Sequence, residues 1–298
     1  MPDGDPTAPV PLTPAAAPGP PGPQPVLVAA DAPAGPGEHP VIAVRGVSVR
    51  FGRQEVLRDL SFDVMPRQTV ALIGESGSGK SVTLKLLVGL LRPTAGEVLF
   101  EGKPVHALPE KDLTALRLRV GFLFQGAALF DSLTVFDNVA FGIRAKGGVG
   151  EAEVAARVRD RLREVGLPEN VERKVPAELS GGMKKRVGLA RALALDPDVM
   201  LYDEPTTGLD PIMTDLINEL ILRTRRKRPI ASIVVTHEMR TVQKTADRVV
   251  MLYPLARLGP GEPQVVYDGP TAGLATAADP RVRQFVEGDA RERLAETE

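Results

Sequence analysis

The sequence predicts an α/β fold with a largely parallel sheet, and three observations lead there. Apolar runs of the buried-strand kind recur from Val41 onward. Stretches with helical spacing lie between them, and one run passes into a helix through a glycine-rich loop. The first 40 of the 298 residues stand apart, with 13 of the 28 prolines and no Lys or Arg. A Pro/Ala/Gly segment of this kind buries too little apolar surface to offset its ordering entropy. Residues 1–40 therefore read as a disordered or polyproline-like tail.

The elements follow in chain order. Val41–Phe51 alternates as a strand does, and Thr69–Ile73 is an apolar run of the buried-strand type. Val82–Leu91 is rich in Leu and follows the glycine loop, as a helix would. From about Phe141 to Glu178 there is little strand character, which predicts a helical insertion. Within it Val154, Val158, Leu162 and Val165 share one helical face, and Gly166 stands where a helix-ending glycine belongs. Val199–Tyr202 and Ile230–Val235 are two further buried strands.

The glycine loop carries the chemistry. Gly74-Glu75-Ser76-Gly77-Ser78-Gly79-Lys80-Ser81 fits G-x-x-x-x-G-K-[ST] between a buried strand and a helix. Glycines let backbone N–H groups turn toward a phosphate, and the helix N-terminus adds its dipole. Lys80 would reach the β- and γ-phosphates, and the Ser81 hydroxyl would ligate Mg²⁺.

Further along, Val199–Tyr202 runs into Asp203 and Glu204. Asp203 would hold the metal or its waters. Glu204 points elsewhere and would polarise an attacking water. Leu179-Ser180-Gly181-Gly182-Met183 opens a helix whose N-terminus suits an anion, although Ser180 also serves as a plain N-cap. His237 follows the strand at Ile230–Thr236 and would donate to a γ-phosphate. Gln125 follows Phe122-Leu123-Phe124 and would reach metal or water.

Composition narrows the classes. Lys+Arg is 37 against Asp+Glu 38, a formal charge of −1, which gives no support to nucleic-acid coating or polybasic membrane binding. The Arg223–Arg228 cluster reads as the solvated end of a helix, where cations suit the dipole. With no Cys there are no disulfides, thiolate zinc sites or cysteine nucleophiles. No apolar run approaches the roughly 18 residues of a membrane span. No Lys or Arg precedes Arg45, and Val26–Ala30 is too short for a leader's apolar region, so a cytoplasmic protein is expected.

These elements, in this order, resemble the ATP-binding subunits of ABC transporters over about Val41 to Leu252. The loop at 74–81 looks like Walker A, Gln125 the Q-loop, and Leu179–Met183 the signature. Asp203 and Glu204 look like Walker B and its catalytic glutamate, Thr206–Asp210 the D-loop, and His237 the switch histidine. Phe51 sits where the family stacks an aromatic on adenine, with packing in a strand as the other reading. Within the family the likeness is to the Mla/Mce lipid-transport ATPases. It rests on Met183 in the signature, on the stretch from Phe124 to Val139, and on Asp279-Pro280-Arg281-Val282-Arg283-Gln284-Phe285.

The resemblance implies a P-loop NTPase of ABC type, a mixed sheet core with an inserted α-helical subdomain. It divides the chain into the tail (1–40), a first core part (41–124) and the Q-loop with helical subdomain and signature (125–184). A second core part (185–253) and a C-terminal extension (254–298) follow. Its cofactors would be ATP and Mg²⁺. Two copies would bind head to tail, each ATP lying between one copy's phosphate loop and the other's Ser180, Gly181 and Gly182. Catalysis would rest on Glu204, His237, Gln125 and Lys80. Partners would be integral membrane permease subunits and accessory subunits of a lipid-transport complex, without nucleic acid. The location would be peripheral, on the inner face of the cytoplasmic membrane. The permease contact would lie at Gln125 and the helical insertion, where Phe130 and Phe136 also read as internal packing. An amino-acid or metal importer ATPase is the alternative within transport, and an ATPase acting on nucleic acid or ribosomes lies outside it. Val282, Phe285 and Val286 have helical spacing and need a covering surface, either their own cassette or a partner.

Overall fold

The computed structural model describes residues 39–289. All but the last two residues of the proline-rich tail fall outside the described residues, as do 290–298. The chain begins with strands β1 (Ile42–Phe51), β2 (Gln54–Val64) and β3 (Thr69–Gly74), then helix α1 (Lys80–Leu87). Strands β4 (Ala95–Phe100) and β5 (Lys103–Pro104), helix α2 (Glu110–Leu118) and strand β6 (Val120–Leu123) follow. Three helices come next: α3 (Val135–Lys146), α4 (Glu151–Glu164) and α5 (Gly181–Leu193). Then β7 (Val199–Asp203), α6 (Pro211–Lys227), β8 (Ala231–Val235), α7 (Met239–Thr245) and β9 (Arg248–Leu252) alternate. Strand β10 (Val265–Pro270) and helix α8 (Pro280–Glu287) end the described chain.

The six-stranded sheet runs β10-β9-β3-β8-β7-β6. Its inner strands pair in parallel, and β10 alone returns antiparallel along β9, so the sheet is mixed. Strand β3 is buried throughout, as expected of a parallel strand covered on both faces. A second sheet, β2-β1-β4-β5, is wholly antiparallel. Its apolar face joins Val70, Leu72, Leu201 and Ile233 of the first sheet in one core, closed by Leu84 and Leu87 of α1.

A second core lies on the other face of the main sheet. Val139, Val158 and Leu162 of the helical insertion, with Leu189 of α5, meet Met200, Tyr202 and Val234 there. The α4 stripe is buried as its spacing predicts, and Gly166 takes a φ of 69° just beyond the helix. Helix α5 continues unbroken across residue 184, so the signature and the second core part share one rigid rod.

Two readings are decided here. Val282 is fully buried among Ala71, Ile73, Val249 and Met251, with Phe285 and Val286 half-buried beside it, so α8 covers its own cassette. The Arg223–Arg228 cluster is a solvated helix end only in part: Arg223, Arg226 and Lys227 are exposed at the end of α6, whereas two arginines turn inward. Arg225 pairs with Asp247 at 2.9 Å and Arg228 with Glu164 at 3.1 Å, both arginines largely covered. A buried carboxylate on α4 and a half-buried one just before β9 claim these two cations. No helix among the described residues is long and apolar enough to cross a membrane.

Candidate nucleotide site

The loop between β3 and α1 owes its path to its glycines. Gly74 has φ 142°, and a Cβ there would stand 2.1 Å from the Leu252 carbonyl oxygen. Gly79 has φ 97°, and its Cβ would stand 2.4 Å from Leu57 Cδ2. No other residue type fits either place. The loop is held from outside as well. Gln264 Nε2 donates to the Ser78 carbonyl at 3.0 Å, and Arg257 pairs with Glu75 at 2.8 Å.

Lys80 is buried, and its Nζ donates to the carbonyls of Gly74 and Glu75 at 2.8 and 2.7 Å. Burial pulls its pKa below the ordinary lysine range, against the opposing pull of Glu204 and Asp203. Ser81 Oγ donates to Asp203 Oδ1 at 3.2 Å, across 122 residues of sequence. Burial pushes the Asp203 carboxyl up, the Ser81 bond opposes this, and the Glu204 charge adds to it. A hydroxyl and a carboxylate oxygen are hard donors, the kind Mg²⁺ takes alongside phosphate oxygens, so these residues fit that ion.

Glu204 follows β7 in a left-handed conformation, φ 47°. Its Oε1 lies 3.0 Å from His237 Nδ1, and its Oε2 accepts from Thr207 Oγ1 at 3.0 Å. His237 is exposed, and Gln125, also exposed, lines the same cleft. The cleft measures about 760 Å³ and is lined by phosphate-loop residues, Gln125, Glu204, His237 and Phe285. That volume lies in the range of small-molecule sites.

Thus one cleft gathers Gly74, Glu75, Ser76, Gly77, Gly79, Lys80, Ser81, Gln125, Glu204 and His237. Asp203 joins through Ser81, and Ser78 lies buried beneath the loop. Two expected groups stand outside it. Phe51 ends β1 beside the hairpin turn, 49% exposed, which removes the packing reading; its pairing partner Gln54 lines the cleft instead. Ser180 and Gly181 are exposed at the α5 N-terminus, away from this chain's phosphate loop. Ser180 caps that helix, accepting from the Met183 N–H at 3.3 Å. Gly182 is buried against Met213, which a Cβ would approach to 2.5 Å.

Gln264, Arg257 and Lys185 are site residues that sequence reasoning did not find. The first two sit in the C-terminal extension, about 180 residues from the loop they hold. Lys185 was hidden as one cation in a basic helix. Phe130 and Phe136 also differ. Phe130 is exposed and meets the Phe141 ring at 4.7 Å, while Phe136 is half-buried against the insertion core.

A strand, a phosphate-cradling loop and a helix, with an Asp-Glu strand end across the cleft, define a P-loop nucleotide-binding ATPase. The ABC transporter family model matches residues 57–207. The chain belongs to that family, as the ATP-binding, ATP-hydrolysing subunit of a transporter. It is 39% identical to the "Probable ribonucleotide transport ATP-binding protein mkl" of Mycobacterium leprae, over 83% of this chain and 69% of that one. It is 38% identical to the "Intermembrane phospholipid transport system ATP-binding protein MlaF" of Haemophilus influenzae, over 83% of this chain and 90% of that one. Among solved structures it resembles the ATP-binding cassette MJ0796, a dimer in a post-hydrolysis state bound to ADP and Pi. The TM-score is 0.68 at 29% identity, covering 77% of this chain and 98% of that one.

Proposed function

We propose that this chain powers a permease that moves phospholipid or another lipid, and that it works as a head-to-tail pair bound to the cytoplasmic side of that permease. The observation that carries the catalytic reading is the Ser81–Asp203 hydrogen bond, which puts the loop and the acidic strand end on one cleft. Loop N–H groups and Lys80 hold the β- and γ-phosphates. Ser81 and Asp203, with Gln125, would hold Mg²⁺, which would neutralise phosphate charge when bound. Glu204 accepts the proton of the attacking water; Thr207 donates to its Oε2, and His237 Nδ1 stays 3.0 Å from its Oε1 until the ring N–H turns to the γ-phosphate. His237 directs a ring N–H to the γ-phosphate. Phe51 stacks on the base from its exposed hairpin position. Ser180, Gly181 and Gly182 of the second copy close the site, adding a helix N-terminus to the γ-phosphate charge. The exposure of Ser180 and Gly181 at the start of α5 suits that role. Hydrolysis removes the γ-phosphate and loosens the pair.

Lys80→Ala tests the phosphate reading. The charge on the β- and γ-phosphates is lost, so calorimetric ATP affinity falls by at least roughly tenfold. Affinity near wild type would remove the loop from the account. The lipid reading is supported by Met183, by the stretch 124–139 and by the likeness to a phospholipid-system cassette. Reconstitution with its permease tests it: ATP-dependent movement of labelled phospholipid between vesicles is the expected result. Uptake of an amino acid or metal instead would place the chain with importers.

A further inference from the structure

Helix α5 turns one face to the loop that follows β6. Lys185, Gly188 and Arg191 lie on that face at successive three-residue steps. Gly188 lets the backbones close up: a Cβ there would stand 3.0 Å from Leu123 Cδ1 and 3.1 Å from Ala127 Cβ. Ala127 and Ala128 are both left-handed, with φ 61° and 45°. Arg191 donates to their two carbonyls at 2.7 Å each.

Lys185 does more than hold this loop. It is 5% exposed, and its Nζ donates to the carbonyl of Gln125 and, at 2.8 Å, to the carbonyl of Glu204. Glu204 is a non-glycine residue at φ 47°, a strained conformation that persists only where the surroundings impose it. Its N–H is fixed by the Val235 carbonyl at 2.9 Å, and its carboxylate by His237 and Thr207. The carbonyl bond from Lys185 is the link to the helix that begins Ser180-Gly181-Gly182. A tetrahedral ammonium has three donors and can serve two carbonyls from separate segments at once.

We propose that Lys185 is a positioning residue for hydrolysis, tying the backbones of Glu204 and Gln125 to α5. The glutamate carboxylate is in register only when the helix whose N-terminus meets the second copy's nucleotide is in place. Closure of the pair and assembly of the water-activating group are thereby one event. This rests on the reading of Glu204 as the base and of Ser180–Gly182 as the closing segment.

The test uses the full chain with Lys185→Met, which keeps the length and removes every donor, and Lys185→Arg, which restores donors. ATP affinity stays within about twofold, because Lys185 does not touch the phosphate loop, while kcat falls by about 10- to 100-fold at nearly constant KM. Lys185→Arg recovers at least about a third of the lost kcat. If Lys185→Met does not fold, Lys185→Gln, with one donating group, is judged by the same criteria. Turnover within about twofold of wild type, equal impairment of the Met and Arg variants, or a loss lying wholly in ATP affinity overturns the proposal. Glu204→Gln measured in parallel separates the two claims. Normal turnover there removes Glu204 as the base, whereas abolished turnover beside a normal Lys185→Met removes Lys185 alone.

Discussion

Gln264→Ala removes a clamp beneath the phosphate loop. Gln264 is 1% exposed, and its side chain makes three hydrogen bonds that join β2, β10 and the loop. Its Oε1 accepts from the Arg58 N–H at 2.9 Å, and its Nε2 donates to the carbonyls of Val56 and Ser78 at 3.2 and 3.0 Å. At about 1 kcal/mol net for each bond, the substitution costs about 3 kcal/mol. For a domain of this size about 2–4 °C accompanies each kcal/mol, so the melting temperature falls by about 6–12 °C. The Ser78 carbonyl is freed just before Gly79, so ATP affinity drops in the same variant. Gln264→Glu is the informative companion. It keeps the shape and the acceptor, but an ionised carboxylate cannot donate to two carbonyls, so it destabilises at least as much as alanine. Differential scanning calorimetry with ATP titration reads both effects. A melting temperature within about 2 °C of wild type for either variant would refute the clamp.

Two other substitutions probe buried charge. Burial raises the Asp203 carboxyl pKa in the fold, so this group opposes stability as pH rises through that raised value. Asp203→Asn therefore melts higher than wild type without nucleotide at pH 7, the gain fades as pH falls toward the carboxyl range, and Mg²⁺-dependent ATPase activity is lost; a lower melting temperature at pH 7 would contradict this. Burial pushes the Glu164 carboxyl up, but Arg228 and Arg161 more than offset it, and the net shift is downward. Its stabilisation is thus present above the ordinary glutamate value of 4.5 and lost as pH falls through the lowered one. Glu164→Gln costs about 3 kcal/mol at pH 7, because it leaves two covered arginines underpaired. The gap to wild type narrows in melts taken below pH 4.5, and a constant gap would place the effect elsewhere.

The legible part of the site is the part made by local sequence. Gly74–Ser81 is one loop, and its spacing fixes both its glycines and its Lys-Ser end. Asp203 and Glu204 end a strand whose apolar run is visible, and Gly166 ends a helix whose stripe is visible. The antiparallel sheet was half seen: β1 alternates clearly, but β2 carries Glu55, Arg58, Asp59 and Asp63 among its apolar residues and hides its period. What sequence could not show is contact over distance. Gln264 is an unremarkable amide until β10 carries it under the phosphate loop. Lys185 looks like surface charge until α5 lies on the 125–128 loop, and Gly188, a glycine inside a helix, was the available signal for that close approach. Arg225 and Arg228 misled for the same reason, since their carboxylate partners come from other elements.

The central claim is that Glu204 activates the attacking water while the rest of the cleft holds ATP. Glu204→Gln keeps the side-chain shape beside His237 and Thr207 and removes the proton acceptor. Steady-state phosphate release with parallel ATP titration and size exclusion measures it directly. ATP affinity is retained, turnover falls by about 10²- to 10⁴-fold, and an ATP-bound pair of chains accumulates. Turnover within about tenfold of wild type, with no accumulation of the pair, would contradict the account and move the base elsewhere in the cleft.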